Sequence, residues 1–338
     1  MRPSLIRRPA AQLAAILAGL YLIGTLAPVE GNATAASARG SSSRPAPAGS
    51  PAATLAAATA AVSGLSLSND GAPFAAGPGA GSSAGGRAAA TGAITQALLD
   101  SLHAARPALV VGERLTFSIG WGVVKAGSAT LEIAGIRRYR DRLAYHFQSD
   151  ATSNSVFDKI YPVRDRVISL MDVRTARSLY FEKHLREGKY RADQQIRFDH
   201  EGGKAIYHDR REFPMTPGAV DVLAAFYLTR TLPLEAGRDM HFESHADRKN
   251  YPLRVRVLGR EEIQTPAGRF QCLKIEPKLR SGAFFKNEGQ LTIWLTDDER
   301  RLPVLMKSRI AVGSITATLT AFERPASGHA TSRQNGPG

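Results

Sequence analysis

The sequence predicts a mainly β domain: a curved, mostly antiparallel sheet or half-barrel of about ten to twelve strands, with one buried helix packed on it. Three observations predict it. Apolar and polar residues alternate over run after run of the second two-thirds of the chain. Those runs are separated by short turn signals and not by helix-length segments, which points to hairpins and an antiparallel sheet. A single stretch carries helical spacing instead.

The strands come first. In RLTFSIGW, Leu115, Phe117, Ile119 and Trp121 share one face, with Arg114, Thr116 and Ser118 on the other. In LAYHFQS, Leu143, Tyr145 and Phe147 alternate with Ala144, His146 and Gln148. ATLEIAG, LYFEKHL, QQIRFD, PLRVRVLG, LTIWLT and ITATLTAF repeat the pattern, and WGVVKAG, REGK, HEGG, TPAG and VGS supply turns between them.

The helix is TPGAVDVLAAFYLTRTLP, expected over about 217–231. Thr216 and Pro217 read as an N-cap and first-turn pair, and Pro233 follows its end. Val220, Leu223, Ala224, Tyr227 and Leu228 follow one helical stripe, while Val222 and Phe226 make the opposite side apolar too. A helix apolar on nearly every side must be buried, so it either fills the core or lids a cavity that the sheet forms; a lid is the expectation here. Shorter helical turns are expected at SNSVFDKI and at ITQALLDSLH.

The ends of the chain differ in kind. Arg2, Arg7 and Arg8 precede an uncharged apolar run, Ala10 to Ala27, and Ala33 and Ala35 give the small-x-small pattern of a signal-peptidase site. Residues 1–35 therefore read as a signal peptide, with an uncleaved N-terminal membrane anchor as the alternative. Over 36–92, 44 of 57 residues are Ala, Gly, Ser or Pro, too few large apolar groups to offset the entropy of ordering, so a disordered linker is expected. Residues 324–338 read as a disordered tail, leaving 97–323 as the β-rich domain, long enough for a sizeable core.

The chain has 44 basic and 30 acidic residues, of which 36 and 28 fall within 97–323. That excess is spread over many strands. It reads first as a solvated basic surface, and it would also suit a membrane surface or another acidic envelope component. No nucleic-acid-reading motif accompanies it, so nucleic acid is not an expected partner.

Several pieces occur in a distinctive order: the opening LTFSIGWGVVKAGSATLEI, DVLAAFYLTR with Asp221 and Arg230, TPAGRFQCLKIEP, IWLTDDERRLPV and the final GSITATLTAFE. In this the chain resembles the DUF-3108 family of exported bacterial proteins over nearly all of 110–323. The resemblance implies a secreted or periplasmic, β-rich, envelope-associated protein. It implies no activity and carries no catalytic residues with it.

Read on their own, the reactive residues give little chemistry. Cys272 is the lone cysteine; an exported chain cannot pair it internally, and no histidine lies near it in sequence, so it reads as a buried, unreactive strand residue. His241, Glu243, His245 and Asp247 alternate in HFESHAD and would share a strand face about 6–7 Å apart, a spacing that suits zinc. The bland reading is a polar outer face opposite Phe242, Ser244 and Ala246. Asp297 to Arg300, DDER, reads as turn chemistry. Asp221 and Arg230 sit where the helix dipole favours an anion and a cation, and Phe226 reads as packing. No G-x-S-x-G, H-E-x-x-H, P-loop or dinucleotide fingerprint is present. The expectation is a non-enzymatic exported envelope protein without cofactor, whose concave face binds an apolar or lipid-like ligand or serves as an interaction surface. The alternative is an exported metal-dependent hydrolase using His241, Glu243 and His245.

Overall fold

The computed structural model describes residues 99–279, 291–309 and 314–325. The expected signal peptide (1–35), the linker (36–92) and the tail beyond residue 325 lie outside the described residues. Residues 99–105 form a helix, α1, which overlaps the short helix expected at ITQALLDSLH.

The first half of the domain is a meander of β1 (Arg114–Trp121), β2 (Val124–Tyr139), β3 (Arg142–Ser153), β4 (Arg164–Asp172), β5 (Ser178–Glu187), β6 (Tyr190–Asp199), β7 (Lys204–Tyr207) and β8 (Glu212–Pro214). A one-turn helix, α2 (Ser155–Asp158), interrupts the passage from β3 to β4. Then α3 (Val222–Arg230) leads to a second meander: β9 (Asp239–Ala246), β10 (Lys249–Thr265), β11 (Gly268–Leu279), β12 (Leu291–Thr296), β13 (Pro303–Arg309) and β14 (Ser314–Glu323). All belong to one antiparallel sheet in which β1 pairs with β14, so its two edges are β8 and β9.

Fourteen strands among the described residues exceed the expected ten to twelve. The excess is explained by β7 and β8, of four and three residues, which are too short to display an alternation. The alternation itself is real: Leu115, Phe117 and Ile119 are buried on the concave face, as are Tyr145 and Phe147. The longest strands, β2 and β10, each carry a bulge at a glycine, Gly135 (φ 158°) and Gly259 (φ 152°). The extra residue bends each strand and lets the sheet coil.

The sheet does not close into a barrel, but its edges are covered. The backbone of Val220 pairs in parallel with β9: its N–H donates to Glu243 O (2.9 Å), and His245 N–H donates to Val220 O (3.0 Å). On the β8 side, Asn250 Nδ2 donates to Pro214 O (3.0 Å), and Arg248 N–H donates to the Tyr207 hydroxyl (2.5 Å). The gap between the edges is thus bridged by side chains and one stretch of loop, which pairs Glu243 O and His245 N–H on the edge of β9.

Because neighbouring strands are antiparallel, the turns after β1, β3, β5, β7 and β9 lie at one end of the sheet. The start of β1 and the end of β14 lie at the other.

Candidate functional site

The helix α3 lies along the concave face and fills it. Leu223, Ala224, Ala225, Phe226, Tyr227 and Leu228 are all buried, and the Tyr227 ring stacks on Phe147 at 4.0 Å. The expected start at Thr216 and Pro217 is corrected: the helix begins at Val222, with Asp221 as its N-cap. Thr216 to Gly218 instead make a turn, and Val220 is held extended by β9. Against α3 the sheet leaves a cleft much smaller than the lipid-sized pocket that the expected lid would cover.

What remains is a cleft between α3 and β10–β12, lined chiefly by Ala225, Phe226, Val255, Ile275, Ile293 and Leu295. Its open volume is about 20 Å³, about enough for one water. Nearly every group facing it is apolar, so it suits a hydrocarbon better than a water.

Both ends of α3 are fixed by buried charge. Asp221 Oδ1 accepts from Leu223 N and Ala224 N (both 2.9 Å), and Oδ2 accepts from Ser169 Oγ (2.7 Å) and Ser178 Oγ (2.5 Å). Burial pushes this carboxyl above its ordinary range, against the pull of those hydrogen bonds. At the other end Arg230 makes a two-pronged pair with Glu113, Nη1 to Oε1 at 2.7 Å and Nη2 to Oε2 at 2.9 Å, with the side chains 0% and 1% exposed. It also donates to the carbonyls of Ala108, Arg300 and Arg301. Desolvation works against this guanidinium, but Glu113 outweighs it and holds its pKa above the usual arginine value. Arg324, assigned above to the tail, reaches back to Glu113 as well (3.3 Å).

The metal candidates are not gathered into a site. His241 is exposed, Glu243 is half-buried and His245 is fully buried. Both His245 ring nitrogens are engaged, Nδ1 with Asn250 Oδ1 (2.8 Å) and Nε2 with the Tyr207 hydroxyl (3.1 Å). Burial lowers its pKa, so the ring is held neutral. Asp247 pairs with Lys183 (3.0 Å). Among the described residues no three His, Cys, Asp or Glu side chains form a metal-ligand group. The physical reason is that β9 is an edge: Tyr207 covers only its far end, so alternation along the strand does not give a common environment.

Cys272 is fully buried, its thiol directed at Phe270 O (3.5 Å), and burial together with Asp298 pushes its pKa up to about 12. It is therefore a protonated thiol with little nucleophilic character. In DDER, Asp298 accepts from Thr296 Oγ1 (2.7 Å) and Arg300 N (3.0 Å), which is a turn fixed by its own side chain.

One grouping escaped the sequence reading. Asp165 and Glu187 are both buried on the concave side of β4 and β5, with Lys183 nearby. Asp165 Oδ1 accepts from Arg186 N (2.8 Å), while its Oδ2 and Glu187 Oε1 are buried without a hydrogen-bond partner among the described residues. Burial is the main cause that raises both carboxyls, Asp165 to about 6 and Glu187 to about 8, and the Asp165 charge adds to the shift of Glu187. The signal was available: Asp165 is in phase with Val167 and Met171, and Glu187 with Phe181 and Leu185, so each carboxyl had to face inward.

Fold and site together define an open, helix-filled antiparallel β half-barrel with no metal-ligand group among its described residues. The family follows from the sequence match. Residues 116–320, more than half of the chain, match the family described as "Protein of unknown function (DUF3108)", and the chain belongs to it. No curated protein matches the chain. Among solved structures it is similar to a β-barrel-like protein of the domain of unknown function DUF1849 from Brucella abortus, at 8% identity and a TM-score of 0.46, covering 64% of this chain and 98% of that one. It is also similar to a DUF1089 family protein from Pseudomonas aeruginosa, at 13% identity and a TM-score of 0.32, covering 54% and 90%. Likenesses this slight say nothing of function.

Proposed function

We propose that the protein is an exported, non-enzymatic component of the cell envelope, and that its domain takes a slender apolar group, such as the end of an acyl chain, at the cleft between α3 and β10–β12. The observation that carries the reading is the cleft wall: Phe226, Val255, Ile275, Ile293 and Leu295 line a gap that a closed core would have filled. With about 20 Å³ open, a ligand must move the Phe226 ring aside and cannot simply occupy a standing pocket. The basic, apolar and small-residue order of residues 1–35 supports export. The protonated Cys272 thiol and the doubly engaged His245 ring support a non-catalytic role.

The test is native mass spectrometry of the full chain purified without detergent, alongside displacement of a fluorescent fatty acid. The wild type should retain or bind an apolar ligand, and Ala225→Val, which narrows the cleft, should weaken that binding while circular dichroism shows the fold retained. A wild type that binds neither probe ends the ligand reading. N-terminal sequencing of the exported chain should find Ala36 at or near the start; Met1 retained on membrane-bound material would instead support the anchor.

A further inference from the structure

Among the described residues, the exposed large apolar side chains are Val123, Val124, Val156, Ile160, Tyr190 and Leu258. All but Leu258 sit at one end of the sheet, on the turn after β1, on and just beyond α2, and at the start of β6. Val123 is fully exposed and Ile160 is 79% exposed, so neither contributes to the core. Isolated surface apolar groups are ordinary, but this many at one end of a half-barrel mark a contact surface.

The three segments form one plate. Asn154, which caps α2, donates through Nδ2 to Lys125 O (2.7 Å) and through its N–H to Ala126 O (2.9 Å), fastening α2 to the start of β2. Beneath the plate Trp121 meets Phe157 edge to face at 6.4 Å. On the other flank Gly188 N–H donates to Pro162 O (2.7 Å), and Gly188 lies against the Tyr161 ring. The positions of these apolar tips are therefore set by the sheet.

The rim is cationic. Lys125, Lys159 and Lys189 are exposed and enter no ion pair among the described residues. Arg191 donates to the carbonyls of Gly188 and Tyr190 and to no carboxylate. The acid on the plate, Asp158, is already paired with Arg164 at 2.6 Å. Exposed aliphatic tips, a tyrosine at their edge and free lysines around them match the layering of a bilayer surface, with hydrocarbon below and anionic headgroups above.

We infer that this end of the domain docks on an anionic lipid surface, with Val123, Val124, Val156 and Ile160 entering the headgroup–acyl boundary and Lys125, Lys159 and Lys189 meeting the headgroups. This surface is separate from the cleft and does not depend on it.

Where it is retained, the apolar run at 10–27 would hold the chain to vesicles whatever the domain does, so the test reads the tip itself. A full-length Val123→Cys chain is labelled with an environment-sensitive fluorophore, since buried Cys272 is protected from the reagent, and is mixed with vesicles of phosphatidylcholine alone or with phosphatidylglycerol. Ile160→Cys serves as a second tip position and Asp141→Cys, in the turn at the opposite end, as the control. Both tip probes should shift to the blue and be quenched by nitroxide-labelled lipid only on the anionic vesicles, and the control should do neither. Replacing Lys125, Lys159 and Lys189 by Gln should weaken tip insertion about 125-fold, about five-fold per cation. Quenching at all three positions, or at none, overturns the inference. So does a tip shift that needs no vesicles and grows with protein concentration, which would assign the plate to a second copy of the chain.

Discussion

Removing the cation at the end of α3 should be among the most damaging single changes in this domain. In Arg230→Met, Glu113 stays 1% exposed, with only Arg324 at 3.3 Å as a cation. The carbonyls of Ala108, Arg300 and Arg301 lose their donor as well. Breaking a buried pair in this way costs about 3–5 kcal/mol, because the abandoned charge keeps only the longer contact with Arg324. For a domain of this size that is a fall in Tm of roughly 6–20 °C. The assay is urea unfolding followed by circular dichroism, for both single variants and for the double variant Glu113→Leu/Arg230→Met. Replacing both charges by apolar groups should recover most of the loss. A loss below about 1 kcal/mol for Arg230→Met, or a double variant no more stable than the single, would refute the assignment of the pair as the anchor of α3.

The Asp165–Glu187 pair should make the wild type less stable at alkaline pH. Both folded pKa values, about 6 and about 8, lie above the ordinary 3.8 and 4.5, so stability is full below the ordinary values and is lost as pH rises through the folded ones. Glu187→Gln should flatten the fall in urea midpoint between neutral pH and pH of about 9; an unchanged slope would show that the pair does not titrate there. Phe226→Ala should cost about 3 kcal/mol, the low end for a buried aromatic, because one side of the ring already faces the cleft. Chemical unfolding measures it, and a neutral change would mean that the ring packs on nothing. Cys272 should resist a thiol reagent in the native protein and react once unfolded, given its burial and a pKa pushed up to about 12. Rapid native labelling would contradict that burial.

Much of the sheet was legible because its signal is local. Leu115, Phe117 and Ile119 alternate within one strand, and any sheet that buries one of them buries all three. The helix was legible in type but not in start, since Thr216-Pro217 has the chemistry of a cap. What selects Asp221 is its contact with Ser178 and Ser169, 43 and 52 residues away in sequence. Likewise Arg230 reads as a dipole partner until Glu113, 117 residues away, is brought to it. His245 shows the reverse failure. Its spacing from His241 and Glu243 suggested a common face, but spacing along a strand carries no information about which neighbour covers which part of an edge. The exposed plate was missed for a related reason: Val123, Val156 and Ile160 are unremarkable in their own segments, and only the order of strands brings them to one end.

The pairing of β1 with β14 has a consequence for how the domain forms. Every other ladder joins strands that are neighbours in sequence, so each meander can zip up by local hairpins. The seam is different: Thr320 Oγ1 donates to Thr116 O across a sequence separation of 204 residues, and that contact cannot form until both ends of the chain segment have met. The two meanders should therefore assemble early and the seam late, making it the slow step and the point at which an incomplete domain would expose β1 and β14 as open edges. A nascent chain still lacking β14 would hold its first meander in that state, with the row Leu115, Phe117 and Ile119 at its margin. For a chain of this order of strands, protection before completion matters as much as stability afterwards.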